Sequence, residues 1–229
     1  MNKITELLRS SETNNNLSHV IMLTSTAKKY YDVNADLREY HNFEHANNVA
    51  KAVHMLTANE PSLALIIAAI WHDAVYFPGA GSDANERCSS TALGIEARNI
   101  ARGTELSKEL KDAVNAAQDL IEYTSMQQHM HYSRISGDLA VLLDADLRSL
   151  ATEKFEDFVV VQECIIRENN GCVPDDYNES AQFLSKFLRC RDFIYHTDKA
   201  REMWEHRARL NITRYCNEHG VLIVEDETR

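Results

Sequence analysis

The sequence predicts an all-helical bundle, and three observations carry that expectation. Glycine and proline, which punctuate turns and sheet edges, number only 7 and 3 in 229 residues, so long elements with few connections are favoured. Apolar residues recur at three- and four-residue spacing along most of the chain. The strongest apolar block, Leu63 to Trp71, is apolar on every side, which marks a helix buried in the middle of a bundle. No internal repeat or low-complexity segment interrupts this pattern. A chain of this length buries a large core without staples, so one domain over 1–229 is expected, with 1–16 as an N-terminal extension and 221–229 as a loose tail.

The elements follow in order. Ile4 to Leu8 is a short amphipathic start, and Ser10 to Asn16 is a polar hinge. A first sizeable helix is expected over Leu17 to Tyr31. Ala46, Val49, Ala50, Val53 and Leu56 form one stripe, so a second helix begins near Asn42 and runs to about Ala58. Pro61 suits the first position of the third, Ser62 to Val75. Further helices are expected over Ala84 to Ala101, Ser107 to Tyr123, Leu139 to Leu150, Thr152 to Asn169 and Asp176 to Phe193. The last runs from Thr197, a suitable N-cap, to His219, with Gly220 as its stop. Val221 to Val224 has the composition of a short strand.

Charge narrows the function classes. A formal net charge of −11 repels nucleic-acid backbones, but a small phosphorylated ligand stays open because a divalent metal inverts the local field. The five cysteines, Cys88, Cys164, Cys172, Cys190 and Cys216, are odd in number and form no CxxC pair, which reads as reduced thiols in the cytoplasm. No signal-peptide pattern opens the chain, and the longest apolar block is too short to span a bilayer, so no membrane partner is expected.

Four segments place polar residues where the pattern asks for apolar ones. His41 and His45 are four residues apart, so on a helix they share a face. A zinc-protease motif is excluded, because Asn42 stands where its glutamate would follow the first histidine. His72 and Asp73 end the most apolar helix, where both are costly unless paired or bound to metal. Asp146 lies on the stripe of Leu139, Leu142, Leu143 and Leu150, whereas Asp144 points largely away from it. A lone buried carboxylate calls for a positive partner, and a divalent ion held by two imidazoles and two carboxylates meets that need. Such a mixed donor set suits Mn, Fe, Co, Ni or Zn better than Mg. His129 and His131, with Asp138 downstream, are candidates for a second metal or a substrate phosphate, as is Glu86; a polar interhelical loop explains the histidines equally well.

A histidine, then His-Asp, then Asp, on successive helices, resembles the HD superfamily. The likeness is to a bacterial-type family of HD phosphohydrolases, carried by Tyr40–His45, Trp71–Tyr76, Asn85–Arg87, Leu142–Leu147 and Glu205–Asn211. The resemblance implies an HD-type helical bundle, a metal held by His45, His72, Asp73 and Asp146, and hydrolysis of a small phosphate ester or nucleotide. One ion is implied and a second is possible. Tyr40–Val49 is also similar to the first motif of cyclic-nucleotide phosphodiesterases. By that likeness His45 is a ligand and His41 the proton donor, while Asp73 orients the attacking water or bridges to the second ion. The phosphodiesterase pattern has another histidine shortly after its HD pair. Ala74, Val75, Tyr76 and Phe77 stand here instead, so the likeness does not extend to a cyclic-nucleotide substrate. Glu86 and Arg87 are expected near the site, and Arg148 follows Asp146 closely enough to reach a bound phosphate, although a surface ion pair is the simpler role for each. Two other functions fit the same motifs: a two-iron HD-fold oxygenase, and a sensor that binds a phosphorylated ligand without turnover.

Overall fold

The computed structural model describes residues 16–81, 83–103, 105–125, 129–130, 135–172, 176–189 and 192–223, and all regular structure among them is helical. The elements are α1 (Leu17–Asp32), α2 (Phe43–Leu56), α3 (Leu63–Trp71), α4 (Ala84–Gly103), α5 (Lys108–Glu122), α6 (Gly137–Asp146), α7 (Phe155–Asn170), α8 (Asn178–Arg189) and α9 (His206–Glu218). A 3-10 segment, Leu147–Ala151, continues α6, while a short turn, Asp198–Ala200, and a π-helical turn, Arg201–Glu205, lead into α9. The expected bundle is therefore present, with helix ends that differ from the sequence reading.

Those ends have local causes. Asn42 is the N-cap of α2, and its side chain accepts the Glu44 and His45 N–H groups, two donors that the helix itself leaves unpaired. His41 therefore lies before the cap and not on the helix. Ser62 caps α3 by accepting the Leu65 N–H, so Pro61 precedes the cap instead of filling the first helical position. At its other end α3 stops at Trp71 rather than Val75, which leaves His72 as the C-cap and Asp73 in the turn beyond. The single expected helix over Thr197 to His219 is broken by the π turn. There Glu205 turns inward and accepts the Ile194 and Tyr195 N–H groups.

As its composition demands, α3 is the central helix: Leu65 through Trp71 are all buried, and it packs against α1, α2, α4, α5 and α6. α8 and α9 pack on each other, and the 3-10 segment joins α9 and α7 to the rest. Buried side chains from α1 through α9 form one core. No described helix is long and apolar enough to cross a membrane. Asn16, placed in the N-terminal extension by its polarity, is buried; it donates to Glu109 and accepts from Ser107, the N-cap of α5. Ile4 to Leu8 lies outside the described residues. Val221 to Ile223 forms no strand, and Val221 is buried against the core rather than loose.

Candidate metal centre

Three separate helix ends deliver the site. His45 comes from the first turn of α2, His72 and Asp73 from the turn that ends α3, and Asp146 from the last residue of α6. His45 Nε2 lies 2.9 Å from Asp146 Oδ1 and 3.2 Å from His72 Nε2. Asp73 Oδ2 is 3.1 Å from His72 Nε2 and 3.6 Å from His45 Nε2, and His72 Nε2 is 3.5 Å from Asp146 Oδ1. Among the described residues, His45, His72 and Asp146 each bring one donor atom within 4.8 Å of the others.

These distances fit a transition metal. Donors bound at about 2.1 Å stand about 3.0 to 3.4 Å apart in octahedral or tetrahedral arrangements, and the observed separations bracket that range. The tautomers agree. His72 Nδ1 lies 3.0 Å from the Ala69 carbonyl; a proton held there leaves Nε2 with its lone pair facing the other donors. Two imidazole Nε2 atoms stand 3.2 Å apart beside two carboxylates, a contact that either a proton on one nitrogen or a bound cation would satisfy.

The charge states are tuned accordingly. Burial alone would raise the Asp146 pKa, but hydrogen bonds from His129, His45 and His72 overcome it and hold the carboxyl well below the usual carboxylate range. Burial opposes ionisation of Asp73 in the same way, and the charge of His72 with its hydrogen bond holds that carboxyl low as well. Both carboxyls are thereby favoured in their anionic form.

Around this centre the structure adds Arg38 and Ser89, which motif and periodicity did not single out, and gives structural roles to residues of the motifs. Arg38 is buried and donates to the carbonyls of His41, Asp73 and Ala74. Its guanidinium lies 4.6 Å from the Tyr31 ring centroid. One cation thus joins the turn after α3 to the segment before α2. Asn85 pairs with the N–H and carbonyl of Phe77, and Ser89 does the same for Val75, so the asparagine-glutamate-arginine segment fastens the loop that follows Asp73. Asp144, expected to point away from the buried stripe, is buried on the far side of α6. There it accepts the His196 and Thr197 N–H groups, each at 2.7 Å. Asn211, at the end of the Glu205–Asn211 motif, donates to the carbonyls of Leu150 and Thr152 and steadies the segment after Asp146.

His41 is held apart from the donor cluster. Its ring stacks on Tyr76 at 4.1 Å between centroids, and Nδ1 lies 2.8 Å from Glu168 Oε2. Burial pushes its pKa down, but the Glu168 hydrogen bond and the charges of Asp73, Glu168 and Asp146 outweigh this, and the net shift is upward. Glu168, buried on α7, carried no signal in its neighbourhood of Asn169 and Asn170.

Of the second-site candidates, His129 is buried with Nε2 2.9 Å from Asp146 Oδ2, so the two oxygens of Asp146 face different histidines. Glu86 lines the same cleft as His41, Asp73 and Asp146. Its pKa is raised, first by burial and then by nearby carboxylates. His131 lies outside the described residues. Arg87 and Arg148 are exposed, and Arg148 sits 6.0 Å from the Trp204 ring centroid. Comparison with protein-family models, curated proteins and solved structures yields no match to this chain.

Proposed function

We propose that this chain is a metal-dependent hydrolase of phosphate esters, of the HD type, with the metal held by His45, His72, Asp73 and Asp146. The observation that carries the reading is the convergence of donor atoms from His45, His72 and Asp146 at metal-ligand spacing, with Asp73 Oδ2 3.1 Å from His72 Nε2 and a separately positioned imidazole, His41, lining the same cleft. Mn, Fe, Co, Ni and Zn match this donor set; Mg, which prefers oxygen ligands, matches it less well. A divalent ion held there supplies a Lewis acid for a phosphoryl oxygen and lowers the pKa of its bound water.

The chain's own residues supply the rest. Water adds to phosphorus, the bond from phosphorus to the ester oxygen breaks, and the products are inorganic phosphate and an alcohol. His41, whose pKa the Glu168 hydrogen bond raises against burial, gives its proton to the departing oxygen as general acid. Asp73 orients the attacking water, and Tyr76, stacked on His41, fixes the plane of that ring. Arg38 holds the backbone on which His41 and Asp73 sit.

The test is phosphate release from a panel of phosphate monoesters and nucleotides by protein loaded with each of the five ions in turn. Release that requires the ion and stops with chelator is expected; no release by any loaded form overturns the reading. One observation favours a second reading. Asp146 Oδ2 faces His129 while Oδ1 faces His45, so His129 and Asp146 would offer donors to a second ion, which a two-iron oxygenase would use. Two equivalents of iron with substrate-dependent dioxygen consumption would select it.

A further inference from the structure

The cleft that opens on the centre is lined by two chemically different sets of residues. It encloses about 650 Å³. His41, Asp73, Tyr76, Glu86 and Asp146 belong to its polar lining, and Leu150, Ile165, Ile166, Phe183, Leu184 and Phe187 to its apolar lining. Most of the apolar residues come from α7 and α8, giving the cleft a chamber with apolar surface that gains by leaving water, alongside Gln162, Asn169, Asn170, Glu179 and Ser180 from the same helices. One turn before Ile165 and Ile166, Gln162 also lines the cleft. It is 4% exposed, and its amide nitrogen is buried without a hydrogen-bond partner.

Charge sets the limit on the head group. The two ligand carboxylates neutralise a divalent ion. Beyond them Asp83, Glu86 and Glu179 line the cleft, and no lysine or arginine does among the described residues. Phosphate chains are normally held by arginine, lysine or several metal-bridged oxygens, none of which these walls add. Each further phosphate would meet a carboxylate.

We infer, resting on the hydrolase reading above, that the substrate is a phosphomonoester of an apolar alcohol, with its single phosphate at the metal and its alkyl or aryl body in the chamber of Phe183 and Phe187. Nucleoside di- and triphosphates are disfavoured by the same walls. Hydrolysis then releases inorganic phosphate and a poorly soluble alcohol, with no oxidant or reductant required.

Binding tests this without turnover. Methyl-, butyl- and octylphosphonate would be titrated into the metal-loaded full chain. Dissociation constants should fall about three- to fourfold per added methylene from methyl to butyl. Phe183→Ser, at a partly buried position, should flatten the series and leave methylphosphonate unchanged. Equal affinity across the series, or tighter binding of a nucleoside triphosphate than of octylphosphonate, would overturn the inference. Hydrolysis of the matching alkyl phosphates separates the two readings. Chain-length-dependent binding with no ester hydrolysed by any loaded form would remove the hydrolase and keep the chamber. Hydrolysis indifferent to chain length, with flat binding, would remove the chamber and keep the hydrolase.

Discussion

The two ends of α2 bury one histidine each, and they do so in opposite ways. His45, in the first turn, is 8% exposed and meets Asp146, Asp73 and His72 within 3.6 Å. His54, in the last turns of the same helix, is 3% exposed, and neither ring nitrogen has a hydrogen-bond partner among the described residues. Burial lowers the His54 pKa and nothing opposes it. At His72, a comparably buried ring, carboxylates reverse the effect of burial and the pKa is well above its ordinary value. A buried histidine is therefore not by itself a site. What makes one is the arrival of carboxylates from other helices, and that is a property of the bundle and not of α2.

The most severe way to break the contrast is to remove the carboxylate. Asp146→Ala leaves His45, His72 and His129 without the oxygens they share, and makes the His45 end resemble the His54 end. Complete loss of phosphate release is expected, with a folded helical protein by circular dichroism; full activity would remove Asp146 from the centre.

Next in size is His41. His41→Ala should lower the rate on an unactivated alkyl phosphate by about 10²–10⁴-fold while metal content stays at the wild-type level. The loss should shrink on a nitrophenyl ester, whose leaving group needs little protonation. Loss of metal in this variant would make His41 a ligand instead.

A smaller effect is expected at Glu168. Its hydrogen bond raises the His41 pKa, and a general acid works only while protonated. Glu168→Gln should therefore move the alkaline limb of the pH–rate profile to lower pH, with a rate loss of roughly 10- to 100-fold, as for other partners that orient a functional imidazole. An unmoved alkaline limb would detach Glu168 from the chemistry.

The smallest effect sharpens the other end of the comparison. His54 has a folded pKa below its unfolded value of about 6.5, so the unfolded chain takes up the proton first. Its contribution to stability is full above the unfolded value and is lost as pH falls through the folded one. The melting temperature of His54→Leu should thus gain on the wild type as pH is lowered from 7 to 5, with catalysis unchanged. A difference constant with pH would contradict the reading of a buried neutral ring.

How much of this was legible in the sequence depends on whether a residue's role is local. The composition of Leu63 to Trp71 announced the central helix, and His45, His72, Asp73 and Asp146 stood out because each is polar where its own helix is apolar. Gln162 carries the same signal, four residues from both Phe158 and Ile166 on the buried stripe of α7. Glu168 does not: it is 127 positions from His41 and sits in a polar helix end, so only the folded bundle reveals it. Arg38 lies in an irregular segment with no periodicity to violate. Asp144 does point away from the leucine stripe, but its burial was not legible, because helical spacing identifies one buried face and α6 is covered on a second by the segment around Thr197.

The account rests on one centre at the N-terminal end of α2, and metal stoichiometry tests it most directly. Wild type, His45→Ala, Asp146→Ala and His54→Ala would each be loaded with zinc or manganese, desalted and assayed by elemental analysis. At least one tightly held equivalent is predicted in the wild type and in His54→Ala, and none in the other two. Equal metal in the wild type and in Asp146→Ala would contradict the assignment.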